Sequence, residues 1–463
     1  MQKIDGLRYR ALGPQHLDRI ARDVGLDGDQ LTALKAVAAV LPFRVNRYVL
    51  DELIDWNDIP SDPIYQLTFP QAGMLERGDF LRMVDLLGRG ASDEEVRREA
   101  RRIRMRMNPH PAGQLDLNVP EIDGERLPGA QHKYRETVLF FPSQGQTCHA
   151  YCTYCFRWAQ FVGMEELRFA NREVQTLVRY LTTHTEVSDV LFTGGDPLVM
   201  STSVLRRYLE ALLVPGLEHV TNIRIGTKAL AYWPFRFTTD RDADDLLRLF
   251  EQVGRAGKRL ALMAHFSHPR ELGTPEVREA MQRILDTGAV IRCQAPLVRH
   301  VNDNAEAWAT MWRTQVRLGA VPYYMFVERD TGPKHYFEVP LARALRIFSR
   351  AYNQVSGLAR TVRGPSMSAT PGKVVVEGVA EVAGEKVFAL KFLQGRDPSW
   401  ANRIFFARFD AQASWLDDLE PAFGAKEFFF EPTLHAMAEG AWLPEWRRKD
   451  APRLVGASRE EAS

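Results

Sequence analysis

The chain has 463 residues, of which 45% are hydrophobic, so it is long enough to bury a large core. Its 60 Lys and Arg residues balance 59 Asp and Glu residues, which leaves no bulk charge to attract nucleic acid or a membrane. A charged start, no run of about eighteen apolar residues and only four cysteines, three of them clustered, predict a cytoplasmic protein without a disulfide framework.

The first 130 residues contain helical stretches followed by a turn-rich region with several prolines, and they predict an N-terminal helical domain (1–130). Ser92, followed by Glu95, is typical of a helix start. This helix carries six arginines, Arg97, Arg98, Arg101, Arg102, Arg104 and Arg106. A nucleic-acid patch is one interpretation. A solvated helix, or a subunit contact in a homo-oligomer, is favoured because aromatic side chains are absent from the run.

Short apolar runs alternate with amphipathic stretches from Val138 onward, as in consecutive βα units. The predicted strands are residues 138–141, 187–192, 222–225, 259–263, 290–293 and 321–327. Six such units predict an α/β fold whose core (131–340) is a partial, TIM-like (β/α)6 barrel. Residues 341–463 predict a small α+β extension, with a helix at 342–352, a loop at 366–373 and strands near 374–376 and 386–392.

Polar residues follow each predicted strand at the point where the apolar run ends. In parallel barrels the chemistry gathers at the carboxyl ends of the strands, so these groups are expected to share one pocket. They are the segments 148–155, 193–196 and 226–228, then His265, Gln294 and the segment 328–330.

Three of the four cysteines, Cys148, Cys152 and Cys155, lie within eight residues in the pattern C-x3-C-x2-C. Three thiolates can bind three irons of a [4Fe-4S] cluster, and the fourth iron then stays open to a small ligand with oxygen or nitrogen donors. An open iron favours catalysis over electron storage. The spacing therefore predicts a catalytic iron–sulfur site.

Three other interpretations of these cysteines stay open. A tetrahedral zinc site needs a fourth ligand, and His149 is cramped in that role because it directly follows a cysteine. A ferredoxin-like electron carrier needs a fourth cysteine, whereas Cys293 lies far along the chain. Unrelated core thiols are the third interpretation. A non-catalytic iron–sulfur or zinc protein is thus an alternative function.

The cysteine motif, together with Thr193-Gly194-Gly195-Asp196 after the second strand, resembles the motifs of radical S-adenosylmethionine (SAM) enzymes. Six segments resemble the lysine 2,3-aminomutase family over residues 54–373: H-K-Y-R-E-T-V-L-F (132–140), T-G-G-D-P-L (193–198), R-I-G-T (224–227), H-F-S-H-P (265–269), Q-A-P-L-V-R-H-V-N-D (294–303) and P-Y-Y (322–324). Their occurrence in order, at matching strand ends, makes the resemblance specific.

The resemblance implies a radical SAM isomerase that acts on an amino acid. SAM would bind the open iron and be cleaved to methionine and a 5'-deoxyadenosyl radical, which abstracts hydrogen from the substrate. Pyridoxal phosphate (PLP) would hold the substrate amine while nitrogen moves from the α to the β carbon. A reductant such as flavodoxin or ferredoxin would supply the electron.

Residue roles follow from the same resemblance. The three motif cysteines would bind the cluster, and Arg157 would pair with the substrate carboxylate through its planar guanidinium. Lys373 would attach PLP. The remaining cofactor positions are Gly194, Gly195, Asp196, Arg224, His265, Gln294 and Tyr134.

The chain departs from the family pattern around PLP. Residues 366–372, before Lys373, are not the family's run of glycines. Thr137 stands where the family has an arginine, so that Lys133 or another residue would have to recognise the anionic group. A radical SAM enzyme that has lost PLP is therefore a second alternative function.

The family's two aspartates that hold the distal ammonium of lysine also lack a clean match. Glu328 or Asp330 stands near one of them, and Ser366 stands near the other. The substrate is therefore left open among lysine, arginine and glutamate-like amino acids.

Overall fold

A computed structural model describes residues 8–115 and 117–447. Its helices are α1 Leu17–Val24, α2 Gly28–Ala38, α3 Pro63–Thr68, α4 Arg77–Gly88, α5 Asp93–Arg106, α6 Val174–Thr183, α7 Thr202–Glu210, α8 Ala229–Tyr232, α9 Ala243–Arg255, α10 Pro275–Asp286, α11 Ala305–Arg317, α12 Lys334–Phe337, α13 Leu341–Tyr352 and α14 Glu431–Ala438. The outer ends of the predicted N-terminal domain and C-terminal extension, 1–7 and 448–463, lie outside the described residues.

The strands are β1 Glu121–Ile122, β2 Glu125–Arg126, β3 Ala130–Tyr134, β4 Thr137–Phe140, β5 Asp189–Phe192, β6 Asn222–Thr227, β7 Arg259–His265, β8 Val290–Leu297, β9 Val321–Val327, β10 Arg363–Ser368, β11 Gly372–Val382, β12 Glu385–Gly395 and β13 Ile404–Arg408. Eleven of them form one sheet in the order β13-β12-β11-β10-β9-β8-β7-β6-β5-β4-β3. β4 to β10 are parallel, and the other strands of this sheet pair antiparallel.

The six predicted strands correspond to β4 to β9, which are adjacent in the sheet and follow one another in chain order. Helices connect them, and α10 illustrates why these segments form. Thr274 caps its first turn by accepting a hydrogen bond from the Val277 N–H, Pro275 takes the first helical position, and one face of the helix is buried. The prediction of an α/β fold with a parallel sheet is confirmed.

The sheet curls. β3 contacts β12, although β4 to β11 lie between them in the sheet order. In a flat sheet, nine spacings of about 4.8 Å would hold these strands about 43 Å apart. Hydrogen-bonded pairing between β3 and β13 is absent from the described residues, so the sheet remains open.

The segment predicted as a loop at 366–373 instead contains the end of β10 and the start of β11. Ser366 to Ser368 pair with Val375 to Lys373, and β10 also pairs in parallel with β9. The serine, threonine and proline content of this segment favours a turn. Ladder hydrogen bonds to the preformed edge of the sheet outweigh that weak local preference.

The described residues form two apolar cores. The larger one extends from Leu12 to Val362 and joins the N-terminal helices to the helices and strands of the parallel sheet. The smaller one packs β10 to β13 against α13 and α14. Among the described helices, none combines the length and apolar character needed to span a bilayer.

The arginine-rich helix α5 makes ion pairs within the chain. The nearly buried carboxylate of Asp79 on α4 accepts from Arg102 at 2.6 Å and also from Arg106. Arg101 pairs with Glu166. Part of the arginine run therefore fastens α5 to neighbouring segments.

Asn46 links the N-terminal region to the loop that carries the motif cysteines. Its side chain is fully buried, and Nδ2 donates to the backbone oxygens of His149 at 3.1 Å and Tyr232 at 3.0 Å. Oδ1 accepts from the Val49 N–H at 3.1 Å.

Replacing Asn46 with alanine leaves three buried backbone groups without this partner. We expect the change to lower the free energy of unfolding by about 3 kcal/mol, because buried unsatisfied polar groups are costly. Thermal unfolding followed by circular dichroism measures the effect. Asn57→Ala, which removes an exposed amide, is the control and should leave the transition in place. Equal transitions in the two variants would contradict the bridging role of Asn46.

Candidate functional site

The motif cysteines lie in the cysteine loop, residues 141–157, which follows the carboxyl end of β4. The N-terminal region anchors this loop through its backbone. The Tyr151 N–H donates to the Arg44 oxygen and the Thr153 N–H donates to the Leu67 oxygen, both at 2.9 Å. A loop of this length would otherwise be free to move, so these anchors fix where the thiols lie.

The three thiols are close enough to influence one another. Burial raises the pKa of Cys148 well above its usual range, and the charges of Asp196, Cys155 and Cys152 raise it further. Burial likewise raises the pKa of Cys155 to about 12, with Cys152 adding to the rise. Without a positive charge between them the thiols stay protonated, and a metal centre would displace their protons.

The donor set fits a [4Fe-4S] cluster with one open iron. Within the described residues no three His, Cys, Asp or Glu side chains converge tightly enough to ligate a single ion. Cluster cysteines bind different irons, so they surround the cluster instead of meeting at one point. Cys293 lies apart on β8, where burial alone raises its pKa.

Three buried polar side chains, Tyr232, Lys228 and Glu271, lie near Cys152. The Tyr232 hydroxyl lies 3.2 Å from Cys152 Sγ, and Lys228 Nζ lies 4.6 Å from the centre of the Tyr232 ring. Lys228 pairs with the fully buried Glu271 at 2.6 Å. Burial raises the pKa of Cys152, whereas the charge of Lys228 and the tyrosine hydrogen bond oppose that rise. Sequence reasoning missed Tyr232 and Glu271, because neither follows a strand end.

The two glycines after β5 admit the cysteine loop. A Cβ on Gly195 would overlap the backbone of Thr147, and one on Gly194, whose φ is +137°, would overlap the Gln146 side chain. Sequence reasoning expected these glycines to make room for SAM. The structure shows that they first make room for the chain itself.

The Asp196 carboxylate is already saturated by the protein. It accepts from the Leu198 N–H at 2.9 Å, the Lys228 N–H at 2.8 Å and the Thr227 hydroxyl at 2.8 Å and 2.9 Å to its two oxygens. Burial raises its pKa, and these hydrogen bonds oppose the rise. It therefore clamps the end of β5 to the end of β6. Its expected contact with SAM stays a prediction.

His265, the last residue of β7, faces Gln294 within β8. Gln294 Nε2 lies 3.0 Å from His265 Nε2 and donates to it. Burial, aided by the charge of Lys228, lowers the pKa of His265 to about 3, so the imidazole is neutral. Arg224, on β6, donates to Asp189 at 2.6 Å.

Lys373 lies on β11 and not in a flexible loop, with Ser368 and Gln394 as its strand partners. Its Nζ is 3.2 Å from Gln394 Oε1 and 4.3 Å from the centre of the Tyr324 ring. Burial, together with the charges of Arg224 and Arg363, lowers its pKa to about 7. At neutral pH a large fraction of this amine is therefore unprotonated and nucleophilic.

Tyr134 lies between two lysines. Its ring centre is 5.6 Å from Lys133 Nζ and 5.9 Å from Lys373 Nζ. Lys133 donates to the Ala369 oxygen. Burial lowers the pKa of Lys133 far below its usual range, and the charges of Arg396, Arg329 and Lys373 add to this. Lys133 is thus a buried hydrogen-bond donor close to the candidate PLP lysine, and its surroundings disfavour its charged form.

Two guanidiniums belong to or contact the cysteine loop. Arg157 is buried, its Cζ is 4.1 Å from the centre of the Phe141 ring, and its Nε and Nη2 have no partner among the described residues. Arg329, directly after β9, lies over the Phe156 ring at 5.1 Å and has an unpartnered buried Nε. Sequence reasoning named the segment 328–330 but gave Arg329 no role.

Glu328, Asp330 and Ser366, which stand near the positions of the family's two substrate-binding aspartates, differ in burial and in hydrogen bonding. Glu328 is buried, and burial raises its pKa well above the usual range. Asp330 accepts from Asn108 Nδ2 at 3.2 Å. Ser366 is fully buried on β10, where its hydroxyl donates to the Arg363 oxygen at 3.4 Å.

Electrostatic effects join these groups into one site. The charges of Arg329 and Lys373 both contribute to lowering the pKa of Lys133. The charge of Arg329 also contributes to lowering the pKa of Arg157. Arg157 in turn interacts with Cys155 and Cys148. The structure thus connects the predicted cluster ligands, the predicted carboxylate-binding arginine and the predicted PLP lysine.

No family model matches the chain. A protein of Aquifex aeolicus named "Putative L-lysine 2,3-aminomutase" is 32% identical over 386 residues, which cover 83% of this chain and 89% of that protein. The L-lysine 2,3-aminomutase of Escherichia coli is 30% identical over 243 residues, covering 51% and 67%. Among solved structures, a radical SAM methyltransferase from Sphaerobacter thermophilus aligns with 49% of this chain and 65% of its own, at 16% identity and a TM-score of 0.35, which is too low to establish a shared fold.

Gly195→Ala tests whether the glycine holds the cysteine loop in place. The added methyl overlaps the backbone of Thr147, so the loop has to shift, and we expect a loss of about 3 kcal/mol in stability. The motif cysteines should also react faster with iodoacetamide in the folded protein. Gly254→Ala on α9, where a Cβ meets nothing within 4 Å, is the matched control. Unchanged thiol reactivity in Gly195→Ala would contradict the role.

Proposed function

We propose that this chain, which belongs to the lysine 2,3-aminomutase family, is a radical SAM aminomutase that moves an amino group between the α and β carbons of an amino acid. A [4Fe-4S] cluster, SAM and PLP are its proposed cofactors. One observation supports the proposal: charge interactions lead from the thiols through Arg157, Arg329 and Lys133 to Lys373, a buried lysine whose pKa is lowered to about 7. The curled parallel sheet supports a partial (β/α)6 barrel around these groups.

Cys148, Cys152 and Cys155 would hold the cluster, and the iron without a cysteine would take SAM through its amino and carboxylate groups. When bound there and given one electron by an external reductant, SAM would supply the radical chemistry that removes hydrogen from the substrate. Because Asp196 is saturated, the backbone carbonyls at the end of β5 are the proposed acceptors for the SAM ammonium. Tyr232 would hold the Cys152 sulfur by its hydrogen bond.

Lys373 would attach PLP, which supplies a π-system that stabilises the unpaired electron during migration. Its lowered pKa provides the unprotonated amine that attachment requires. The rings of Tyr134, Tyr324 and Phe326 lie within 6 Å of its Nζ and exclude water from it. Lys133 is the proposed partner of the PLP phosphate, because Thr137 offers no charge at the family's arginine position.

Arg157 would bind the α-carboxylate of the substrate. It is buried beside the cysteine loop, and two of its nitrogens have no acceptor within the described part of the chain. A carboxylate accepts from two guanidinium nitrogens at once, which fixes its orientation as well as its position. This places the substrate next to the residues that would hold the cluster and SAM.

The proposed function is tested with anaerobically reconstituted protein, SAM, PLP, dithionite and a panel of L-amino acids. We expect 5'-deoxyadenosine together with a β-amino acid, detected by mass spectrometry. Deoxyadenosine without any isomerised amino acid would favour a radical SAM enzyme that does other chemistry. Absence of both products would favour a non-catalytic metalloprotein.

Cys152→Ala should abolish the cluster, because two thiolates cannot hold the cube. We expect the wild-type protein to bind about four irons and four sulfides per chain after anaerobic reconstitution, and Cys152→Ala to bind well under half as much. Iron and sulfide analysis with Mössbauer spectroscopy gives the readout. Cys293→Ala, remote from the cysteine loop, is the matched control and should retain full iron. Stoichiometric zinc without sulfide in the wild-type protein would contradict the cluster.

Lys373→Ala should remove the visible absorbance of bound PLP. Since only the unprotonated amine reacts, the rate of PLP attachment to the wild-type protein should rise as the pH passes through about 7 and level off above it. Stopped-flow absorbance measures both properties. Lys386→Ala, an exposed lysine on β12, is the control and should behave like the wild type. An unchanged band in Lys373→Ala would place PLP elsewhere.

A further inference from the structure

Two buried arginines, Arg396 and Arg236, donate hydrogen bonds to acceptors within the protein through all of their guanidinium nitrogens. Arg396 donates to the Thr370 oxygen at 2.7 Å, the Leu117 oxygen at 3.2 Å and Asn118 Oδ1 at 2.6 Å. Arg236 is also bound through all three of its nitrogens. Buried donors are normally paired in this way, because an unpaired one costs free energy.

Two arginines depart from this rule. Among the described residues, only Arg157 and Arg329 keep buried guanidinium nitrogens without an acceptor. The two are neighbours at the end of the cysteine loop: Arg329 lies over the Phe156 ring, and Arg157 is the loop residue that follows Phe156. The two unpartnered nitrogens of Arg157 suit the two oxygens of one carboxylate, and the unpartnered Nε of Arg329 can donate to a second anionic group.

The local charge balance decides which ligand fits beside Arg329. Arg157 and Arg329 interact as like charges, whereas burial raises the pKa of Glu328 and so disfavours its charged form. Asp330 contributes one negative charge, and one of its oxygens is already bound by Asn108. An ammonium group would bind beside two guanidiniums whose buried nitrogens lack acceptors. A carboxylate would instead accept from those nitrogens and offset their positive charge.

We infer that the substrate is a dicarboxylic α-amino acid, such as glutamate or aspartate, and that Arg329 binds its side-chain carboxylate while Arg157 binds the α-carboxylate. The inference rests on the proposed function and narrows it to a substrate class. Arg329 thereby acts as a specificity-determining residue. Its position directly after β9 places a fixed positive charge at the carboxyl end of the sheet, beside the other proposed binding groups.

Two other ligands are alternatives at Arg329 and Asp330. Asp330 has one oxygen without a partner, and a lysine ammonium would use it. The PLP phosphate is a second candidate for Arg329, because the charge of Arg329 also reaches Lys133 and Tyr134. Each alternative changes a different measurement, so one set of experiments separates them.

The test uses protein reconstituted with cluster, SAM and PLP and held oxidised, so that ligands bind without turnover. Isothermal titration compares L-glutamate, L-aspartate, L-glutamine and L-lysine, with glutamine matching the shape of glutamate without its charge. We expect glutamate or aspartate to bind at least about 30-fold more tightly than glutamine and lysine, as for a buried charge pair. The reduced enzyme should then isomerise the dicarboxylic amino acid.

Arg329→Gln should weaken binding of the preferred dicarboxylic amino acid by at least about 30-fold. Arg329→Lys should restore part of the loss. The dissociation constant for PLP should stay within about twofold of the wild type, and Arg350→Gln, an exposed arginine on α13, should change neither affinity.

Three outcomes would overturn the inference. If the enzyme isomerises lysine and neither dicarboxylic amino acid, the aminomutase proposal stands and the substrate class is wrong. If Arg329→Gln loses PLP, Arg329 serves the phosphate. If deoxyadenosine forms but no amino acid is isomerised, the aminomutase proposal fails and the substrate class fails with it.

Discussion

The site depends on how the chain fixes a long loop of cysteines at the end of a parallel strand. The backbone of the cysteine loop bonds to the N-terminal region at Arg44 and Leu67 and to the end of β5, where Thr147 accepts from the Asp196 N–H at 2.7 Å. These contacts come from three distant parts of the sequence. Thiols that must surround a cluster need positions set to within fractions of an ångström, and a loop held at one end only would not provide them.

Residues at the strand ends divide into those that build the site and those that are left for ligands. Asp196 bonds to Thr227, and Lys228 pairs with Glu271, so these contacts stiffen the strand ends around the thiols. Arg157 and Arg329 keep unused donors. Unused donors therefore distinguish these two arginines from the charged residues that pair within the protein, although both sets contain charged residues after strands.

Burial also sets the protonation states on which the proposed chemistry depends. The same removal from water keeps the thiols protonated until a metal centre replaces their protons, and lowers the pKa of Lys373 to about 7. Neighbouring positive charges strengthen the effect at Lys373, where Arg224 and Arg363 disfavour the ammonium form. The positive charges that lower the pKa of the Lys373 amine would also favour the binding of an anionic ligand.

The sequence by itself determined the six parallel strands, the cysteine triad and the family, because apolar runs, ligand spacing and ordered motifs are local patterns. It predicted a loop at 366–373 wrongly, since the pairing of β10 with β9 depends on a sheet edge assembled from distant residues. Only the tertiary structure decided that Asp196 bonds to Thr227, that Tyr232 lies against Cys152 and that the Nε of Arg329 is left without an acceptor among the described residues. Those properties depend on which distant groups meet in space, and no local pattern of residues encodes that.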